Sequence, residues 1–171
     1  WACSEAGFGD QDNRAVFELL ADDNYLYAGT ANNNGYQVWR TRAEGRPPYK
    51  WEQVIRDGAG RGSLNQFSIS MIAFNGAVYV GSGIQNGGYD RVNNIGPAGA
   101  ELIRINKDGT WDLIVGDERK TSHGCKKPLS GLQAGFGSFL NGYMWKMAVH
   151  EGWLFAGTMN WSIILRYSEW K

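Results

Sequence analysis

Long helical periodicity is missing from this chain, and no apolar run approaches the roughly 20 residues that a membrane-spanning helix requires. Helical bundles and helical solenoids are thereby disfavoured, and no membrane span is expected. Cysteine is scarce. Cys3 and Cys125 stand alone, readable either as a disulfide or as two free thiols, and without a CxxC pair they point to no redox centre. His123 lies close to Cys125, but no second His/Cys pair stands at usable spacing, so no metal is implied. Neither sign of charge is in excess: 17 Lys and Arg face 17 Asp and Glu. That balance removes the long-range attraction that a nucleic-acid or anionic-membrane partner would use. A GxSxG elbow, an HExxH pair, a Walker loop and a Rossmann fingerprint are all lacking, and no cofactor is expected. What is plentiful is glycine, with 24 residues, and aromatic side chains, at 13%. Together they suit short strands joined by tight turns.

The chain also repeats itself three times. Asn13, Asn65 and Asn141 precede Gly29-Thr30, Gly81-Ser82 and Gly157-Thr158 by the same interval. A Gly-x-Gly leads into each asparagine, as Gly7-Phe8-Gly9, Gly58-Ala59-Gly60 and Gly135-Phe136-Gly137. An arginine follows in register at Arg40, Arg104 and Arg166. Self-similarity over roughly 50 residues marks a stacked or radial repeat architecture. Each repeat reads as four strands. Strand A covers about 14–21, 67–74 and 143–149, and strand B about 25–31, 77–83 and 153–159. Strand C carries the arginine, and strand D opens at Trp51 and Trp111. Asp23-Asn24, Asn75-Gly76 and Glu151-Gly152 are turn dipeptides between A and B. The glycine within strand B lets neighbouring backbones approach closely.

The expected fold is therefore all-β: a β-propeller of four-stranded antiparallel blades, with about three blades in one domain spanning 1–171. The blades run at about 14–55, 67–114 and 142–167, and residues 1–4 offer a strand D that could close the last sheet. Three blades are too few for the ring sizes usually seen. Two outcomes stay open: a part of a larger propeller, or half of a six-bladed homodimer. A start at Trp1 rather than methionine favours the first.

The phrase GFGD…N…LYAGT…VWR…W resembles bacterial propeller proteins in the neighbourhood of kelch and sialidase-type Asp-box repeats. The resemblance covers nearly the whole chain and rests on blade-forming residues. Asn106-Lys107-Asp108-Gly109-Thr110-Trp111 is similar to an Asp-box turn, although glycine directly follows the aspartate here. The resemblance implies a scaffold rather than sialidase activity, because the arginine cluster and tyrosine nucleophile of that family have no counterparts at matching positions. A secreted or periplasmic setting is expected.

In such a scaffold the B–C loops and D–A connections share one face, where ligands usually bind. The second repeat expands both, over 84–98 and 116–134. The basic run 119–127 reads as a solvated loop. Tyr36, Tyr89 and Trp161 sit in or beside the B–C loops, with Asn33, Asn86, Asp90 and Arg91 nearby. Aromatic planes among amides suit a sugar ring, so these seven residues are the candidate ligand contacts. The repeated asparagines either ring the channel mouth or fix the Gly-rich turns, the second role being favoured. The leading functional expectation is a non-catalytic propeller binding a glycan or protein partner. A fragment of a polysaccharide hydrolase or lyase and a self-assembling structural module are the alternatives.

Overall fold

A computed structural model describes residues 2–22, 24–122 and 124–162. Its strands are β1 (Ala15–Ala21), β2 (Leu26–Ala31), β3 (Val38–Thr41), β4 (Glu52–Ile55), β5 (Phe67–Phe74), β6 (Ala77–Gly83), β7 (Leu102–Ile105), β8 (Trp111–Val115), β9 (Arg119–Thr121), β10 (Gly124–Lys126), β11 (Asn141–His150) and β12 (Trp153–Asn160). The protein is all-β. Strands β1–β4 pair consecutively and antiparallel, as do β5–β8, while β11 pairs with β12. Single bridges, Ala31 to Phe67 and Gly83 to Tyr143, join these three units into one curled sheet. The expected A and B strands are found within a residue or two in all three units. The expected third C strand, with Arg166, lies outside the described residues, as do Trp1, Asp23 and His123. Among the described residues no helix is long and apolar enough to cross a membrane.

The repeated residues have repeated tasks. Asn13, Asn65 and Asn141 each donate from Nδ2 to the carbonyl of the lead-in glycine, Gly7, Gly58 or Gly135, at 2.8, 2.9 and 2.8 Å. Those carbonyls belong to left-handed turns in which the next residue, Phe8, Ala59 or Phe136, holds φ at +57°, +58° or +56°. A non-glycine residue is uncommon there, and the short amide stem supplies the external bond that fixes it. The turn-fixing role of the asparagines is thus the one found. Asn65, fully buried, also donates to Glu101 Oε2 and accepts from Ser82 Oγ. Asn65→Ala is expected to cost about 2–3 kcal/mol in urea unfolding, against about 1 for the less buried Asn141→Ala, because it strands more buried polar groups.

The register repeats as well. A bulge falls at Phe17, Ile69 and Trp145, always directly after the third residue beyond the asparagine, and bulges of this kind increase local twist. The recurring arginine sits in a cross-strand row: Tyr27, Arg40 and Glu52 in the first unit, Tyr79, Arg104 and Asp112 in the second. Arg40 Nε lies 2.9 Å from Glu52 and Arg104 Nη2 lies 2.7 Å from Asp112. Opposite charges facing each other across neighbouring strands are the sheet's own stabilising pairs.

Both apolar cores lie between units. Tyr27, Val38 and Ile55 of the first unit meet Val78, Ile103, Trp111 and Leu113 of the second. Leu102 and Val115 of the second meet Met144 of the third. Glycine makes these joints close: a Cβ on Gly29 would stand 2.2 Å from Ser68 Oγ, and one on Gly81 would stand 2.6 Å from Met144 Cβ.

Candidate functional site

Each insertion of the second unit is organised by a buried carboxylate. In the first insertion, Asp90 and Ile95 exchange backbone hydrogen bonds of 2.9 and 3.0 Å. The Asp90 carboxylate accepts from the amides of Val92 and Asn93, from Asn93 Nδ2 and from Gln66 Nε2. Desolvation pushes this carboxyl upward, but the bonds from Asn93, Gln66 and Gln85 outweigh it and hold the group well below the usual carboxylate range. A folded-state pKa below the unfolded one stabilises the loop fully above the unfolded value, near pH 4, and that contribution is lost as pH falls through the folded value. Protection of the Val92 and Asn93 amides against exchange, relative to a free peptide at the same pH, should therefore fall selectively on acidification below about pH 4, and Asp90→Asn should show the low protection already at neutral pH.

The base of this loop rests on the third unit. A Cβ on Gly87 would fall 1.6 Å from the Trp161 ring, and one on Gly142 would fall 2.0 Å from the Gly87 carbonyl. Tyr143 Oη accepts from the Gly87 amide at 3.0 Å.

The second insertion folds as the β9–β10 hairpin, and Glu101 anchors it. This carboxylate is fully buried. It takes two bonds from Arg119, of 2.8 and 2.9 Å, one from Asn65 Nδ2 and one from the Asp117 amide. Arg61 Nε lies 3.4 Å away, while its other nitrogens reach Asp117 Oδ2 at 2.7 Å and the Gly99 carbonyl at 2.9 Å. Arg61 thus ties the second insertion to Gly99, the residue directly after the first. Between them opens a cleft of 480 Å³, lined among others by Pro97, Asp117, Gln133 and Phe139 beside Arg61. A larger groove of 910 Å³ runs between β4, the β7–β8 turn and the hairpin. Part of its charged lining is already engaged: Glu52 is held by Arg40, and Lys126 donates to the Trp111 carbonyl and lies over that indole.

The seven expected contact residues do not converge. Asn86 and Arg91 are exposed, and Asn33 is half-buried in the first unit's loop. Tyr89 is half-buried and bonds Asn94 within its own loop at 2.8 Å. Tyr36 must be reassigned to the core: it is fully buried, its hydroxyl has no partner among the described residues, and burial pushes that hydroxyl up. Asp90 is spent on its loop, and Trp161, half-buried, lies against Gly87. The basic run is only partly solvated, because Arg119 is drawn inward to Glu101 and Lys126 to Trp111. Cys3 and Cys125 are free and exposed, and the Glu118 carboxylate beside Cys125 pushes its thiol up. Among the described residues no group of three or more His, Cys, Asp and Glu is placed to hold a metal.

Glu101 and Arg61 carry no mark of their own in the sequence, and Arg119 reads there only as the start of the basic run 119–127. The available signal was phase: Gln37 and Glu101 both stand directly before strand C, and both receive the asparagine amide of their unit. No protein family, curated protein or solved structure matches the chain.

Proposed function

We propose that the chain is a three-unit segment of a β-propeller that serves as a binding scaffold, and that its ligand is a glycan held in the cleft between the two insertions. The propeller reading is supported by the similarly built joints, bulges and asparagine-pinned turns of successive units, and by the four-strand meanders of the first two. The binding reading rests on one observation: the two departures from the repeat are each locked by a buried carboxylate, and Arg61 joins the second to Gly99 at the end of the first. Loops organised in advance lose little entropy on binding. Phe139, more than half exposed, offers a flat apolar face, and Gln133 and Asp117 offer donors and acceptors at its side. An apolar plane with a few placed polar groups is the usual make-up of a site for a small polar ligand.

A glycan array probed with the 171-residue chain tests this. A specific binder is expected, and Phe139→Ala and Gln133→Ala should each weaken it by about tenfold or more while leaving the unfolding midpoint in place. Absence of any glycan binding, or binding that ignores Phe139→Ala, overturns the assignment.

A further inference from the structure

We propose that the two open ends of the curled sheet are the two halves of one interface, and that a second copy of this chain closes them head to tail into a ring of six units. The inference deepens the propeller reading and rests on its unit-to-unit packing.

Both internal joints are built alike. The third residue after the asparagine on the incoming unit, Ser68 or Met144, covers the strand-B glycine of the preceding unit, Gly29 or Gly81. The sixth residue, Met71 or Met147, is buried or half-buried behind it, and so is the aromatic two positions before the glycine, Tyr27 or Tyr79. A polar bond crosses the second joint, from Ser70 Oγ to the Met144 carbonyl at 2.8 Å.

Every one of these positions recurs, uncovered, at the ends. On the first unit the incoming residues are Val16 and Leu19, which are 48% and 59% exposed. On the third unit the receiving residues are Gly157 and Phe155. Phe155 is 56% exposed, and among the described residues a Cβ on Gly157 would meet only the Lys146 carbonyl, at 3.5 Å. Trp145, at the bulge, is also exposed. Lys146 occupies the position of Ser70 and Val16 that of Met144, so the ammonium has a carbonyl to meet. One end therefore carries the knob class and the other the matching hole, which is the condition for a heterologous contact. The described sheet curls through about half a barrel, so two copies related by a twofold axis close the circle and remove both apolar faces from water.

Light scattering coupled to size exclusion, on the 171-residue chain at about 100 μM, should return twice the chain mass. Gly157→Leu fills the hole, which the described residues leave open, and Leu19→Lys charges the knob. Each variant should run as a single chain with an unchanged circular dichroism spectrum. An equimolar mixture of the two should recover a two-chain species, because one joint of the ring remains intact. A single-chain mass for the unaltered protein overturns the inference and leaves the ends to other units of a longer chain. A dimer that survives both substitutions overturns it too. Gly81→Leu separates this failure from that of the underlying reading. If Gly81→Leu unfolds while the unaltered protein is single, only the second copy is lost. If Gly81→Leu folds normally, the unit-to-unit packing itself is wrong.

Discussion

Replacing Glu101 by glutamine is expected to remove about 3–5 kcal/mol of folding stability, the range found when one partner of a buried ion pair is deleted. The cause is what the substitution leaves behind. The Glu101 side chain is fully inaccessible, and Arg61 and Arg119 are only 8% and 11% exposed at their side chains. Two guanidinium groups would then share the more exposed Asp117 carboxylate, which Arg61 already holds at 2.7 Å, and the carboxamide would present an N–H to nitrogen donors. The carboxamide keeps one acceptor oxygen and loses the other, so it cannot serve both the Asp117 amide and Asn65 Nδ2, which use different oxygens of Glu101, and either the hairpin or the second Gly-rich turn loosens. In a domain of this size, 2–4 °C per kcal/mol puts the fall in melting temperature at roughly 6–20 °C. The loss should be nearly independent of added salt, because screening reaches a dry pair far less than a surface pair. Urea unfolding at low and high salt checks both points; a loss below about 1 kcal/mol would place the network among surface pairs in energetic terms.

That network also marks where sequence reasoning ends. The strands were legible because their causes are local: alternation over a few residues, a turn dipeptide, and an asparagine and a glycine kept in phase by the repeat. Strands β5 and β6 fall at the expected residues for that reason. The arginine row was visible as a recurrence, and only strand pairing explains it, by placing Arg40 opposite Glu52 and Arg104 opposite Asp112. Loop residues follow other rules. Tyr36 lies beside an Asn-rich turn yet is buried, because the second unit's Gly58–Ala59 turn packs over it: the Gly58 amide donates to the Tyr36 carbonyl, and the Tyr36 amide to that of Asn65. Trp161 looks like a ligand platform until Gly87, far away in sequence, is seen to occupy its face. Burial at a joint between units depends on partners tens of residues distant, and no periodicity within one unit encodes it. The cleft suffers the same limit, since Pro97, Gln133 and Phe139 come together only after both insertions are anchored.

The joints themselves yield the second large effect. Gly29→Ala should destabilise the fold by about 2–3 kcal/mol, the upper part of the range for overpacking a well-filled core, since the new methyl would lie 2.2 Å from Ser68 Oγ and 2.7 Å from its Cβ. Gly81→Ala should cost a similar amount against Met144 and Ser70. Gly157→Ala provides the control. Its methyl meets ordinary contact distance, so under dilution to a single chain it should be neutral, or more stable by a few tenths of a kcal/mol through reduced unfolded-state entropy. Ser68 decides the cause of the Gly29 effect. Its hydroxyl makes only a long 3.4 Å bond to the Thr30 carbonyl, so Ser68→Gly alone removes little specific interaction. Placed in the Gly29→Ala background, Ser68→Gly moves the small residue from one strand to the other and should recover most of the loss. Recovery would mean that the glycine is required by the approach of the next unit. Failure to recover would mean that the strand-B backbone itself demands it, and the three-fold recurrence of that glycine would then be a property of the strand and not of the joint.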